Sequence, residues 1–257
     1  QLAMSVAGPG FPGGCLAVTR SVVVDTPVPT APVPVVTYAG TTSPAYRFSW
    51  GVAGDSAPSS GIVLYAAFVT DLTTGTDVAS FVTTGRAFPY PASPAFKAVP
   101  GHAYGIEVDA ADRAWNVGYR TATFTAPYDD TKVALSKHLS GSTYVSDWSR
   151  AKSSADYLGS HVTSARTGAS FSFGFTAKTV TLGVLRTPAG GYADVYLDGV
   201  RKTRISLYAS ANQYRQPVRV ASYATVGKHA LKVVVVGAHT AASKGSYVYL
   251  DSVTLAS

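Results

Sequence analysis

The sequence predicts an all-β protein made of two antiparallel β-sandwich domains in tandem. Short runs of alternating or β-branched apolar residues recur along the chain, separated by clusters of Gly, Pro, Ser and Asp. No segment between these runs carries a credible helical period. Proline-marked joins at 25–35 and 126–130 divide the chain into blocks, because proline cannot donate to a central β ladder and favours extended linkers.

The two joins define the expected organisation of the chain. Residues 1–27 are predicted to be a tail or the last strand of an upstream domain, residues 28–127 a first sandwich and residues 128–257 a second. The run CLAVTRSVVV, residues 15–24, predicts a strand within the tail. The chain begins at Gln1 without an initiator Met or a charged-then-apolar leader, so we expect a processed or excised fragment.

The first sandwich contains five predicted strands, in the runs VPVVTY, YRFSWG, GIVLYAAFV, HAYGIEVDA and RTATFTAP. Trp50 ends the second of these strands, and Tyr104 lies in the fourth, shortly after a Pro-Gly pair. An "A-x-D-x-x-x-N" segment then follows at Ala110, Asp112 and Asn116. These features resemble fibronectin type III domains over about residues 30–127. The resemblance implies a spacer module in which Trp50 fills the core and Tyr104 hydrogen-bonds back to the backbone.

The second sandwich begins its clearest strands at GGYADVYLDGVRKTRISLY, residues 190–208. Asp198-Gly199 lies between two alternating runs, and this dipeptide favours the type I′ turn of a tight hairpin. Further elements are TGASFSFGF, VGKHALKV and SKGSYVYLDSVTL, preceded by Trp148. Their order resembles galactose-binding-like jelly-roll modules of secreted bacterial, especially actinobacterial, proteins. Ser206 and Thr240 depart from that family's usual acidic residue and Asn, which weakens the transfer of a polar binding site.

Charge is distributed unevenly between the two halves. Residues 1–127 carry six basic and seven acidic residues, a net charge of −1, whereas residues 128–257 carry fifteen and seven, a net charge of +8. A basic second half favours anionic polymers such as cell-wall glycans. No recognised nucleic-acid-binding motif accompanies the charge, so nucleic acid is not an expected partner. No apolar run is long enough to cross a bilayer, so membrane insertion is not expected.

The sequence predicts no catalytic centre, and we expect the chain not to be an enzyme. The acid pairs closest in sequence are Asp129 with Asp130 and Asp109 with Asp112, and both read as solvated turns rather than as glycosidase pairs. No G-x-S-x-G elbow is present. The five histidines are dispersed without zinc-site spacing, and the resemblance gives His229 a structural hydrogen bond.

Binding of a glycan is a separate expectation, because sugars are held by aromatic rings and a few polar groups. The candidate ligand-binding residues are Trp148, Tyr157, Arg186, Tyr192, Asp194, Tyr196 and Tyr214. Tyr192, Asp194 and Tyr196 share one strand face, which is either a sugar platform or a solvated sheet face. Trp148 is either a lid over a ligand or a plug in the core. In related modules the ligand meets the loops at one edge.

The resemblance also raises the question of a structural calcium ion. Related modules carry one at an acidic residue of the last strand, a position occupied here by Asp251, and the early acidic partner would be Asp129 or Asp130. Calcium needs six to eight oxygen ligands, so the sequence leaves this ion open. No other cofactor is expected. Cys15, the single cysteine, suits either a disulfide to a partner outside the fragment or a buried thiol.

Three functions follow from these observations. The first is a noncatalytic glycan-recognition and spacer region of a secreted, cell-surface-associated bacterial protein or multidomain protein. The second is a structural or adhesive appendage, or a virion-surface protein, that contacts protein partners. The third is the accessory region of a hydrolase whose catalytic domain lies outside this chain.

Overall fold

The computed structural model describes residues 2–4, 20–22, 24–40, 42–84 and 95–256. Within these ranges the regular structure consists of antiparallel β-strands and two short 3-10 turns, which confirms the prediction of an all-β sandwich protein. None of the described segments forms a helix with the length and apolar character that a membrane crossing requires.

The tail contributes one short antiparallel pair. Strand β1 (Leu2–Met4) pairs with β2 (Arg20–Val22), which lies inside the run predicted to be a strand. Cys15 lies outside the described residues.

Among its described residues, the first sandwich has seven strands in two sheets. The strands are β3 (Val35–Tyr38), β4 (Ala45–Ser49), β5 (Ile62–Asp71), β6 (Thr76–Thr84), β7 (Phe96–Lys97), β8 (Ala103–Asp112) and β9 (Val117–Thr125). One sheet has the order β3-β4-β7 and the other β6-β5-β8-β9. Alternate residues of β8 face inward, because side chains of a strand alternate between its faces. They pack between the sheets with Phe48, Trp50 and Tyr65.

Two scaffold residues of this sandwich lie where the sequence predicts them. Trp50 is 3% exposed and belongs to the core, stacked beside Phe48 with ring centroids 5.8 Å apart. Tyr104 is 1% exposed, and its hydroxyl accepts a hydrogen bond from the Val99 backbone N–H at 2.7 Å. This bond ties the tyrosine back to the segment that leads into its strand.

The second sandwich contains the remaining strands and both 3-10 turns. The strands are β10 (Tyr128–Asp129), β11 (Ala134–Leu135), β12 (Lys137–Ser140), β13 (Thr143–Ser146), β14 (Ser149–Lys152), β15 (Ser160–Ser164), β16 (Ser170–Arg186), β17 (Tyr192–Leu197), β18 (Val200–Ser206), β19 (Gln213–Val235), β20 (Val248–Leu250) and β21 (Ser252–Ala256), and the turns are Asp130–Lys132 and Tyr157–Gly159. The main sheet has the order β10-β21-β16-β19-β17-β18, with β11 also paired to β16. A sheet of β14-β15-β20 and the hairpin β12-β13 complete the module.

The hairpin predicted at Asp198-Gly199 joins β17 to β18. Both residues have positive φ, 52° and 80°, as a type I′ turn requires. Asp198 also accepts a hydrogen bond from the Ala230 backbone N–H at 2.8 Å and lies 2.8 Å from His229 Nδ1. The structural hydrogen bond expected of His229 is therefore present.

Each sandwich has its own hydrophobic cluster, but the two modules share one tyrosine. Tyr157, from the second module, is 3% exposed and packs in the cluster of the first. Its ring lies 5.1 Å from that of Tyr38, whose hydroxyl accepts a hydrogen bond from the Leu158 N–H at 3.0 Å. The Arg215 guanidinium lies 5.2 Å from the centre of the Tyr38 ring.

These contacts bridge the polar, proline-broken join at 126–130. Such a join predicts few contacts between modules, and Tyr157 reaches the first cluster from a turn that lies beyond the join. Leu158 adopts a left-handed conformation, with φ of 54°, within this turn. The assignment of the domain limit to residues 127 and 128 stays a prediction.

We predict that Tyr157 couples the stabilities of the two sandwiches. Tyr157→Ala removes a buried ring, so we expect the free energy of unfolding to fall by about 3 kcal/mol and one calorimetric transition to become two. Tyr144→Ala, at a side chain 71% exposed, is the control and should leave melting unchanged. Fragments 28–127 and 128–257 should each fold alone but melt below the full chain. Two transitions in the unaltered chain would contradict the coupling.

Candidate functional site

The face of β17 that carries Tyr192, Asp194 and Tyr196 is a solvated, ion-paired surface. Asp194 accepts hydrogen bonds from Arg204 Nε at 2.7 Å and Nη2 at 3.0 Å, and from Arg201 Nη2 at 2.8 Å. These bonds, those of Arg204 foremost, hold the pKa of Asp194 well below its usual range. Arg204 also lies 5.8 Å from the centre of the Tyr192 ring. The carboxylate and one ring are thus already engaged, which favours a solvated, charged face over an open platform for a neutral sugar.

Trp148 lies in the core of the second sandwich. It is 6% exposed, its ring packs against Phe171 with centroids 5.6 Å apart, and its indole N–H donates to the Ser170 carbonyl at 3.0 Å. This burial favours a plug in the core over a lid. The assignment of Trp148 to a ligand site stays a prediction.

The remaining sequence candidates fall in two other places. Tyr157 lies between the modules, as described above. Arg186 on β16 is opposite Gln213 on β19, and Tyr214 follows Gln213 in the chain. The side chains of Arg186 and Tyr214 are both half-buried. β17 instead pairs with Leu231–Val235 near the other end of β19. The seven candidates are therefore divided among the core, the contact between modules, the start of β19 and the face of β17.

The sequence-based predictions missed a pair of aromatic rings at one edge of the second sandwich. We call this edge, formed by residues 187–191 and 243–249, the loop edge. The rings of Tyr247 and Tyr249 stack with centroids 6.0 Å apart and planes inclined by 26°. Tyr247 is 43% exposed. Tyr249 is half-buried, burial raises the pKa of its hydroxyl, and that hydroxyl accepts a hydrogen bond from Thr187 at 3.3 Å. The Tyr-x-Tyr spacing, which places both rings on one strand face, was the available signal.

The backbone beneath these rings is closely hydrogen-bonded. Ser243 is 7% exposed, and its hydroxyl contacts the carbonyls of Gly190 at 2.8 Å and Gly245 at 2.9 Å. The Tyr247 N–H donates to the Ala189 carbonyl at 3.0 Å, and the Gly191 N–H donates to the Tyr247 carbonyl at 2.7 Å. The two loops are therefore fixed to each other before any ligand arrives, which lowers the ordering cost of binding.

A set of buried carboxylates in the second sandwich is one candidate for holding a cation. Asp130, Asp156 and Asp251 are all fully buried, and one oxygen of each lacks a hydrogen-bond partner within the described ranges. Burial, then the neighbouring Asp156 charge, raises the pKa of Asp251 to about 8. Burial raises the pKa of Asp130 to about 6, against the effect of its ion-pair partner Arg150.

These acids bond mainly to other groups, and no three of their oxygens lie within 4.8 Å of one another. Asp156 lies 2.7 Å from His161 Nδ1, and one oxygen of Asp129 is a fourth carboxylate oxygen without a hydrogen-bond partner among the described residues. Asp251 Oδ1 accepts a hydrogen bond from the Tyr157 N–H at 2.8 Å. Unpartnered buried carboxylate oxygens are the ligands that a hard cation such as Ca²⁺ prefers. The donor chemistry therefore fits such an ion, but the donor atoms are not gathered around one point in this structure.

The first sandwich presents an exposed tryptophan on a tight turn. Trp115 is 70% exposed and has φ of +66°, a conformation that costs a bulky residue strain. Asp112 ties the turn, because it accepts hydrogen bonds from the Asn116 N–H at 2.9 Å and the Asn116 side-chain amide at 2.8 Å. Carboxylate oxygens of Asp25, Asp55 and Asp112 also lie within 4.8 Å of one another. The sequence pattern indicates a spacer role for this module and gives no signal for Trp115.

Comparison with known proteins gives matches among solved structures alone. No family model matches the chain. No curated protein matches it either. A family two carbohydrate esterase from Cellvibrio japonicus is 19% identical, with 50% of this chain and 32% of the esterase covered and a TM-score of 0.33. This chain thus spans about a third of the length of the esterase.

Two matched structures are single modules. A family 35 carbohydrate binding module from Clostridium thermocellum is 11% identical, with 51% of this chain and 98% of the module covered and a TM-score of 0.34. A carbohydrate-binding module CBM36, solved in complex with calcium and xylotriose, is 10% identical, with 49% and 95% covered and a TM-score of 0.31. With TM-scores below 0.5, these likenesses assign neither a ligand nor an activity to this chain.

We predict that the positive φ of Trp115 lowers the stability of the chain. Trp115→Gly should raise the free energy of unfolding by about 0.5–1 kcal/mol, measured by urea denaturation, because glycine adopts positive φ without strain. The control is Tyr119→Gly, which removes a ring 62% exposed from strand β9 and should lower stability by about 0.5–1 kcal/mol. A less stable Trp115→Gly variant would show instead that the indole packs favourably.

Proposed function

We propose that this chain is a noncatalytic glycan-recognition and spacer region of a secreted bacterial surface or multidomain protein. The observation that supports glycan binding is the exposed Tyr247 ring, stacked on Tyr249 at the hydrogen-bonded loop edge. The first sandwich acts as the spacer, and the contact through Tyr157 keeps it in a fixed relation to the second.

The loop edge supplies the two kinds of contact that a sugar needs. The face of an aromatic ring covers the C–H face of a pyranose, and a few polar groups fix the hydroxyls. Tyr247 supplies the ring. The hydroxyls of Tyr249 and Thr187, already paired with each other at 3.3 Å, supply donors and acceptors beside it. Such a site binds and orients a glycan and performs no bond cleavage.

A bound calcium ion is the cofactor that this module would hold. Asp130, Asp156 and Asp251, with Asp129, would supply carboxylate oxygens to it after moving closer together. The ion would neutralise carboxylates that burial otherwise penalises. Its role is structural: the Tyr157 N–H bonds Asp251, so a neutralised acid group would support the turn that contacts the first sandwich.

An alternative function in protein contact has one supporting observation. The hairpin of β12 and β13 exposes Leu139 at 60% and Tyr144 at 71%, opposite each other on one face. An exposed apolar pair of this kind suits a protein partner in a surface appendage. In a further alternative the chain is an accessory region of a hydrolase. The glycan site would then be the same, but the protein to which the chain belongs would be a hydrolase.

We predict that one tyrosine carries most of the glycan affinity. Tyr247→Ala should weaken binding at least about tenfold, because hot spots are few and enriched in aromatic residues. The measurement is a glycan-array screen of the full chain, followed by calorimetric titration of the best ligand. Circular dichroism should show an unchanged fold for this variant. Trp148→Ala should instead lose the fold, since Trp148 is core.

The matched control for this experiment is Tyr192→Ala, at a half-buried tyrosine covered by Arg204. It should bind glycan like the parent. Loss of binding in Tyr192→Ala with normal binding in Tyr247→Ala would place the site on the β17 face. If the parent binds no glycan on the array, the protein-contact alternative takes first place.

We predict that calcium raises the thermal stability of the chain. Protein treated with a chelator should gain about 2–3 kcal/mol of unfolding free energy when calcium reaches a hundredfold excess over its Kd, measured by thermal denaturation. Asp251→Asn should abolish this gain. Asp77→Asn, at an exposed aspartate of β6, is the control and should keep it. A calcium response equal in the parent and in Asp251→Asn would refute this site.

A further inference from the structure

One face of the second sandwich carries a concentrated positive charge. Its exposed basic side chains are Lys132, Lys228, Lys232, Arg201 and Arg204, and we call this surface the basic face. Asp194 is the acidic residue among them, and it pairs with both arginines. Asp198, at the end of the hairpin, is held by His229 and the Ala230 N–H. No ion pair forms at the three lysines within the described part of the chain.

Strand register places part of this charge in a row across the sheet. Ala134 is opposite Ser172, Ser172 opposite Lys232, Lys232 opposite Tyr196, and Tyr196 opposite Arg201. The row crosses five strands in four steps. At about 4.8 Å per step it is about 19 Å long. A polymer lying along this row would meet a hydroxyl, an ammonium, an aromatic ring and a guanidinium in turn.

Small side chains form the floor of the basic face. Ser172, Gly174 and Ala230 line a shallow cavity of 340 Å³, and Lys132 stands at its side. A Cβ built on Gly174 would meet no atom within 4 Å, which means that this part of the sheet lies open. An extended chain can therefore approach the backbone of β16 and β19 closely between the flanking cations.

Both arginines keep donors for a further anion. Asp194 uses Arg204 Nε and Nη2 and Arg201 Nη2, and a guanidinium has five N–H donors. Their side chains are 43% and 48% exposed. Asp194 holds the two planes in place, so a carboxylate that arrives meets oriented donors, the arrangement in which arginine recognises carboxylates well.

We propose that the basic face binds a carboxylate-bearing acidic polysaccharide, at a site separate from the Tyr247 loop edge. The charges of a polyuronate chain complement the row of Lys232 and Arg201, and its hydroxyls suit the Ser172 hydroxyl on the floor. Single-stranded nucleic acid fits this face less well, because it binds through successive stacked rings, and here Arg204 lies over Tyr192. The inference does not depend on glycan binding at the loop edge.

The test is affinity electrophoresis and calorimetric titration of the full chain with polygalacturonate. Methyl-esterified polygalacturonate, the same backbone without its charges, is the matched ligand. We expect binding to the acid form and at least tenfold weaker binding to the ester. Lys232→Ala and Arg201→Ala should each weaken binding by about threefold to fivefold, the range of an exposed ion pair. Lys232→Arg should retain it.

Two further variants distinguish binding at the basic face from binding by the net charge of the chain or at the loop edge. Lys152→Ala removes an exposed lysine from β14, in the other sheet, and should bind like the parent. Tyr247→Ala should also bind polygalacturonate normally, whatever happens to its neutral-glycan affinity. The proposal is overturned if Lys152→Ala weakens binding as much as Lys232→Ala, if acid and ester bind equally, if neither binds, or if a single-stranded oligonucleotide binds more tightly through the same residues.

Discussion

The second sandwich depends on the antiparallel pairing of its two longest strands, β16 and β19. Their register runs from Ser170 opposite Val234 to Arg186 opposite Gln213. Strands β11 and β21 attach to β16, and β17 attaches to β19. The register shifts at three places along this pairing. Because the side-chain period of a strand is two, the register of each stretch decides which of its residues face the core and which form the basic face.

Local sequence signals predict the elements of this fold that depend on neighbouring residues. The turn at Asp198-Gly199 has its positive φ values, and the Tyr104 hydroxyl bonds to the nearby Val99 N–H, as the sequence indicates. Trp148 is different, because a lone tryptophan after an irregular stretch is compatible with a lid and with a plug, and only packing decides.

Features that depend on distant residues cannot be predicted in this way. The hydroxyl of Tyr38 bonds to a residue 120 positions further along the chain, and no local pattern encodes that separation. From the sequence, Asp194 resembles a residue that binds a sugar hydroxyl. The structure shows that its carboxylate is instead ion-paired with Arg201 and Arg204. Trp115 lies in a turn whose geometry favours glycine, so its strain appears only once φ is known.

The buried aspartates and the contact between modules form one structural unit. Asp251 lies in the segment between β20 and β21, and its side chain accepts the N–H of the same tyrosine that packs into the first sandwich. Desolvation raises the pKa of this acid to about 8, so its charge state is sensitive to whatever surrounds it. Tyr157 therefore connects the two sandwiches: its N–H bonds a buried acid of the second, and its ring packs in the core of the first.

Sharing Tyr157 also limits how these sandwiches can be recombined. Tandem β-sandwich domains are usually regarded as interchangeable, since each has a complete core of its own. Here a foreign module placed before residue 128 would have to offer a recess for the Tyr157 ring and a hydroxyl for the Leu158 N–H, as Tyr38 does. Without them a large ring and a backbone donor would be left exposed or unpaired. Exchanging the two sandwiches as a pair would preserve this fit, whereas exchanging either one alone would not.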